Sequence, residues 1–144
     1  MAYASTTQFD QLGLPTAALS NLDAPTKQVL LDGFAGTMDE FIEMGGRYST
    51  PLAAYGMGVV RANVHGATWD ALCRRGFNPE SPADQAVKAR YDEIMVWLRE
   101  TVAVGGPIAG AIDATPGTTE NAPVGFGEAA RGWNGADTTG RSLP

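Results

Sequence analysis

Cysteine and histidine are the side chains best suited to nucleophilic and zinc chemistry, and this sequence holds one of each. His65 and Cys73 fall in the same predicted helix, about two turns apart, which is too far for a helical Cys–His dyad. One histidine and one cysteine also make a protein-only zinc site a poor prospect, and they exclude an intrachain disulfide. A lone histidine within a helix is usually structural or solvated, so we expect neither residue to be catalytic.

A short acidic cluster is the other group of side chains with possible chemistry. Asp39, Glu40 and Glu43 offer carboxylates to a cation, although clustered carboxylates on a helix usually form a solvated face. No P-loop motif occurs, and the glycine-rich C-terminal stretch does not follow the strand–turn–helix unit that a dinucleotide-binding fingerprint requires. We therefore expect no catalytic residue, no metal site and no cofactor, and we interpret the protein as a non-enzyme.

The longest amphipathic segment carries this acidic cluster and organises the rest of the chain. Its apolar residues recur at helical spacing and form one stripe: Leu30, Phe34, Met38, Phe41 and Ile42. Asp23 is a candidate N-cap, and Gly45-Gly46 ends the helix because glycine adopts the left-handed conformation of a helix C-terminus. Arg47-Tyr48 follows and Pro51 keeps the chain extended, which predicts a sharp corner with Tyr48 packed under the long helices.

Two further main helices and some shorter ones complete the predicted bundle. The spacing predicts a helix over about 57–75, with Gly66 as a weak point or a place where another backbone comes close. Ser81-Pro82 is a strong start signal for a last helix. Shorter helical pieces are expected before residue 23, one ended by Gly13 and another starting at Pro15. The fold class predicted is all-α.

Three large apolar residues do not fit the apolar stripes of these helices. Trp69 lies on the opposite side of its helix from the stripe, and Val96 and Trp97 lie off the stripe of the last helix. Such residues are either incidental, since much exposed surface is apolar anyway, or they mark contact with another subunit. Both interpretations stay open at this point.

The character of the sequence changes at Gly105. Residues 105–144 contain nine of the 18 glycines and four of the nine prolines, and no helical or strand period is sustained. This predicts a helical domain over 1–104 and an extended, irregular arm over 105–144. The arm is either a disordered tail or a segment that becomes ordered on a partner, with sparse apolar anchors. The anchors expected to bind a partner are Val124, Phe126 and Trp133.

Length, charge and hydropathy set further limits. A chain of 144 residues can bury a core of its own, and its net charge of −6 argues against a free-standing nucleic-acid binder. The first residues have neither a basic region nor an apolar run, so no signal peptide is expected. No stretch approaches the ~18 consecutive apolar residues that span a bilayer. We expect a soluble protein made in the cytoplasm.

The order of these signals resembles one protein family. Its marks stand in chain order at Gly45-Gly46-Arg47-Tyr48, Pro51-Leu52, Leu72-Cys73-Arg74-Arg75-Gly76, Ala89-Arg90-Tyr91-Asp92 and Val96-Trp97-Leu98-Arg99. Over residues 3 to about 104 the chain resembles the Mu-type phage neck protein family, which is similar in turn to the head–tail connector (adaptor) proteins of long-tailed phages. The arm from Gly105 onward matches no pattern of that family.

The resemblance implies a structural virion protein of the neck, made in the cytoplasm of the host bacterium. Roughly a dozen copies would form a homo-oligomeric ring that joins the portal to the tail or stopper protein. DNA would pass through the lumen without sequence-specific binding, and acidic subunits suit this because they repel DNA phosphates. The C-terminal arm would reach into the portal, and no membrane is involved.

The lateral contacts of such a ring would combine the off-stripe apolar residues with pairs of opposite charge. The acidic edge would face arginines of a neighbour, where rim ion pairs mainly fix orientation. The residues expected at the subunit interface are Asp39, Glu40, Glu43, Arg47, Arg61, Trp69, Arg74, Arg75, Val96 and Trp97.

Two other functions compete with the connector. One is a helical DNA-contacting module that uses Arg61, Arg74 and Arg75, which the negative net charge opposes. The other is a neck or tail-completion protein of a different type, a stopper or a tail terminator, and such proteins tend to be rich in strands.

Overall fold

The computed structural model of the chain describes residues 1–13 and 21–113, and these form an all-α unit without a strand. The helices are α1 (Thr6–Leu12), α2 (Ala24–Gly45), α3 (Met57–Arg75) and α4 (Pro82–Trp97). A π-helical turn, Leu98–Val102, continues α4. The all-α prediction is confirmed. The predicted short helix from Pro15 lies outside the described residues.

Local side-chain caps start α2 and α4 where the sequence predicts them. The Asp23 carboxylate accepts a hydrogen bond from the Thr26 N–H at 3.0 Å, which satisfies a free donor at the start of α2. Ser81 caps α4 in the same way, accepting from the Asp84 N–H at 3.3 Å. These bonds involve residues three apart in sequence, which is why spacing alone located both helix starts.

Helix α3 forms the centre of the bundle because it is covered by other helices on two sides. Ten of its residues are buried, and α2 and α4 both pack against it. The Phe34 ring of α2 lies directly on Gly66 of α3, where any Cβ would overlap the ring. Phe34 then reaches Tyr91 of α4, with ring centroids 6.1 Å apart. The close approach predicted at Gly66 is therefore made by an aromatic ring rather than by a second backbone.

The corner after α2 depends on two adjacent glycines with different tasks. Gly46 adopts the left-handed conformation with a φ of 70°, and its N–H donates to the carbonyls of Ile42 and Glu43. Gly45 lets the helix end approach the carbonyl of Val102, which a Cβ at this position would overlap. Tyr48 is buried, as predicted, and the Thr50–Pro51 peptide bond is cis.

The residues that follow the π-helical turn pack against the helical bundle. Ile108 is buried, and its N–H donates to the Tyr48 hydroxyl at 2.8 Å. The Gly56 N–H donates to the Ala109 carbonyl at 3.0 Å and fixes this segment beside the start of α3. The compact unit accordingly runs from Met1 to Ile112, beyond the predicted boundary at residue 104. The proposed anchors Val124, Phe126 and Trp133 lie outside the described residues.

We predict that the contact between Phe34 and Gly66 makes α3 intolerant of the smallest side chain. Gly66→Ala should lower the free energy of unfolding by about 1–3 kcal/mol, because the added methyl displaces a buried ring. Gly33→Ala is the matched control, since a Cβ there meets nothing within 4 Å, and it should raise stability by about 0.5–1 kcal/mol. Urea denaturation measures both, and a Gly66→Ala chain as stable as the control would contradict this packing.

Candidate functional site

An apolar cleft lies between α3, α4 and the segment after the π-helical turn. Its volume is about 420 Å³, within the usual range of binding pockets. We call it the α3–α4 cleft. It is lined by Gly58, Val59, Arg61, Ala62, His65, Glu93, Ile94, Trp97, Pro107, Ile108 and Ala109.

Helical spacing explains how these side chains come together. Gly58, Arg61 and His65 recur every three or four residues and so share one face of α3. Glu93 and Trp97 do the same on α4. The third wall, residues 107–109, is held in place by the hydrogen bonds of Ile108 and Ala109 to Tyr48 and Gly56. The cleft therefore depends on the Gly-Gly-Arg-Tyr corner as well as on the helices.

One end of the cleft is polar. A neighbouring recess of about 370 Å³ shares Arg61, His65 and Glu93 with it and adds Arg90. Arg90 and Glu93 form an ion pair at 3.2 Å, three residues apart on α4. Arg61 is exposed and makes no hydrogen bond or ion pair within the described part of the chain. The polar end thus presents the guanidinium group of Arg61 without a neutralising carboxylate among the described residues. It lies beside the apolar floor of the cleft, which is formed by Ile94, Trp97 and Ile108.

His65 stands between the apolar floor and this polar end. Its Nδ1 atom is buried and has no hydrogen-bond partner among the described residues. Burial lowers the pKa of His65, and the positive charges of Arg90 and Arg61 lower it further, while Glu93 acts in the opposite direction. The imidazole is therefore held neutral at pH 7. The sequence predicts a structural or solvated role for this residue and contains no signal of the cleft.

The lining of the cleft combines apolar side chains with the polar groups of Arg61, His65 and Glu93. Among residues 1–13 and 21–113, no three His, Cys, Asp or Glu side chains come together as metal ligands. Cys73 as a residue is exposed, but its sulfur is partly buried. This partial burial and the charge of Asp70 raise the pKa of the thiol, which makes it a poor nucleophile. An apolar floor with a cation at the rim favours an apolar group that carries a negative charge.

The three predicted acidic residues differ in their surroundings. Asp39 accepts a hydrogen bond from the Tyr3 hydroxyl, and partial burial raises the pKa of its carboxyl. Glu43 accepts a hydrogen bond from the Thr50 hydroxyl at 2.6 Å, across the Gly-Gly corner. Glu40 is exposed, and of the three it is the one without a hydrogen bond or ion pair within the described ranges. The predicted acidic edge therefore leaves one carboxylate available to a partner.

The predicted arginines are likewise divided between internal and external roles. Arg75 forms an ion pair at 2.7 Å with Asp84, whose side chain is only 3% exposed. Arg47 lies over the Tyr48 ring, 5.5 Å from its centroid, and donates to the Gly105 carbonyl at 3.4 Å. Both therefore have partners within this chain. Arg61 and Arg74 are exposed, and only Arg61 borders the cleft.

The off-stripe apolar residues have three different environments. Trp69 stacks on Tyr91 of α4 at a centroid distance of 5.3 Å and meets the edge of Phe77, so contacts within the chain account for its position. Trp97 is partly buried and forms part of the cleft wall. Val96 is 45% exposed. Helix α3 is covered by α2 on one side and by α4 on another. Trp69 therefore lies off the stripe that faces α2 but still packs against α4.

Comparison of the chain with known proteins adds no relative. No family model, no curated protein and no solved structure matches it. No described helix combines the length and the apolar character that crossing a membrane requires.

We predict that the neutral state of His65 makes the fold sensitive to mild acid. The unfolded chain binds a proton at the ordinary histidine pKa of about 6.5, whereas the folded chain binds it only at lower pH. The free energy of unfolding should therefore fall as the pH drops below about 6.5. Burial raises the pKa values of Asp39 and Asp70, which titrate with the opposite sign.

The measurement that isolates His65 is the difference in unfolding free energy between the wild-type chain and His65→Gln, from pH 8 to pH 5. The carboxyl contributions cancel in this difference. We expect the wild-type chain to lose stability relative to the variant as the pH falls. A difference that stays constant over this range would mean that the histidine is not held neutral by the fold.

Proposed function

We propose that this protein is a structural subunit of a phage neck, a head–tail connector (adaptor) that forms a ring between the portal and the tail. The observation that carries the proposal is the set of large apolar side chains that the all-α unit leaves exposed. Exposed apolar side chains of this size are typical of surfaces that bind another protein, so association with a partner explains them. They include Met44, Met57, Val96, Val104 and Ile112.

The type of assembly that we propose comes from the resemblance to Mu-type neck proteins, and the structure is compatible with that resemblance. The family resemblance implies an all-helical subunit, and the described residues have that architecture. The corner Gly45-Gly46-Arg47-Tyr48, its main sequence mark, joins the end of α2 to the segment that carries Ile108. In the proposed function, this corner fixes the point at which the C-terminal arm begins.

The net charge of the subunit supports the proposed passage of DNA. A chain with ten basic and 16 acidic residues has a formal charge of −6, and a ring of such subunits repels phosphates at its inner wall. We propose that DNA crosses the ring without sequence-specific contacts. The arm, with Phe126 and Trp133 as apolar anchors, is proposed to bind the portal.

The two competing functions have less support. A DNA-contacting module would need the exposed arginines Arg61, Arg74 and Arg75 together, but Arg75 is already paired with Asp84. A stopper or tail terminator would be expected to contain strands, and residues 1–13 and 21–113 contain none.

We predict that the arm attaches the ring to the portal and is not needed for folding of the bundle. A phage that encodes the chain truncated after Asp113 should accumulate filled heads without tails. Truncation after Val104 is a poorer test, because it also removes the buried Ile108. A full-length chain with Phe126→Ala and Trp133→Ala should show the same defect if these residues are the anchors.

Counting tailed particles by electron microscopy, together with mass spectrometry of purified virions, measures this outcome. Tailed particles at normal yield after truncation would show that the arm is dispensable. A full-length protein that is absent from virions would contradict the connector function itself.

A further inference from the structure

Among the described residues, two surfaces without a partner are complementary to each other. One is the α3–α4 cleft, with its apolar floor and the exposed Arg61 at its rim. An occupant that satisfies both needs an apolar side chain and a carboxylate placed close together. A helix supplies such a pair when the two residues are four positions apart, because they then lie on the same face.

The outer face of α2 carries this combination of side chains. Met44 is 66% exposed, and Glu40 precedes it by four residues. Gly33 and Gly36 lie on the same face, and a Cβ at either position would meet nothing within 4 Å. The backbone of another helix can therefore approach this part of α2 closely. The outer face of α2 consists of Val29, Gly33, Gly36, Glu40 and Met44, all exposed.

The two surfaces lie on different sides of the subunit. The buried residues of α2, among them Leu31, Phe34 and Met38, face α3, so the outer face points away from it. The cleft lies beyond α3, between it and α4. One copy therefore cannot fill its own cleft with its own α2. A contact between two unlike surfaces is heterologous, and its repetition gives a closed ring when the rotation between copies closes.

We propose that the α3–α4 cleft of each subunit receives the outer face of α2 from a neighbouring copy, with Met44 on the apolar floor and Glu40 paired with Arg61. This rests on the proposed ring and names its lateral contact. Arg90 is already paired with Glu93, whereas Arg61 has no ion pair among the described residues. Arg61 is therefore the cation that gains most from an incoming carboxylate. Met44 suits the floor formed by Ile94, Trp97 and Ile108 because a flexible thioether adapts to irregular pockets.

Charge reversal of the proposed pair is the most direct test. Arg61→Glu and Glu40→Arg should each weaken self-association of the full-length chain by about tenfold or more, because each places like charges together. The double variant restores an attractive pair and should recover most of the loss. Arg99→Glu is the matched control, since Arg99 is also exposed but neither lines the cleft nor belongs to the residues expected at the subunit interface. Sedimentation velocity measures association, and thermal unfolding verifies that each variant is folded.

Different outcomes separate this contact from the connector function. Wild-type assembly with unaffected single variants, or with no rescue in the double variant, would overturn the contact and leave the ring in place. If Arg61→Glu assembles normally but fails to bind the portal, the occupant of the cleft is a portal segment and the proposal is wrong. A wild-type chain that stays monomeric with and without portal would overturn both. Self-association that depends on Glu40 and Arg61, in a protein absent from virions, would support the contact and contradict the connector.

Discussion

The bundle depends on one buried amide at the point where three segments of the chain meet. The Asn63 side chain is fully buried in α3, where its oxygen accepts from the Tyr3 N–H at 2.9 Å and its nitrogen donates to the Leu31 carbonyl at 3.0 Å. A buried amide without partners would cost about 1–3 kcal/mol for each unsatisfied group, so this position of the N-terminal segment against α2 and α3 is strongly specified. Exchange of Asn63 for an apolar residue would also leave the Tyr3 N–H without a partner.

The same N-terminal segment extends the network to the wall of the cleft. The Tyr3 hydroxyl donates to Asp39 of α2 and accepts from the Leu52 N–H at 3.1 Å, which fixes the loop after the Gly-Gly corner. Burial and the hydrogen bond to Asp39 both raise the pKa of Tyr3, so the phenol stays protonated and keeps its role as donor. The corner in turn holds Ile108 through Tyr48. Polar links thus connect the packing of α2 and α3 to the shape of the cleft.

Short-range features of this fold follow from the sequence, and long-range ones do not. The caps at Asp23 and Ser81 and the left-handed Gly46 depend on residues within four positions, so spacing located them. The hydrogen bond from Ile108 to Tyr48 joins residues 60 positions apart, and no periodicity encodes it. For the same reason the sequence identified Arg61 and Glu40 as candidates but did not separate them from Arg75, whose partner Asp84 becomes evident only in the folded chain.

Electron microscopy of the purified full-length chain, mixed with the portal complex of the same phage, tests directly whether this protein forms the proposed ring on a portal. We expect closed rings of one fixed copy number, coaxial with the portal and open along their axis. Portal complexes that remain undecorated at saturating concentrations of the chain, beside monomers or irregular aggregates of it, would contradict the proposed connector function.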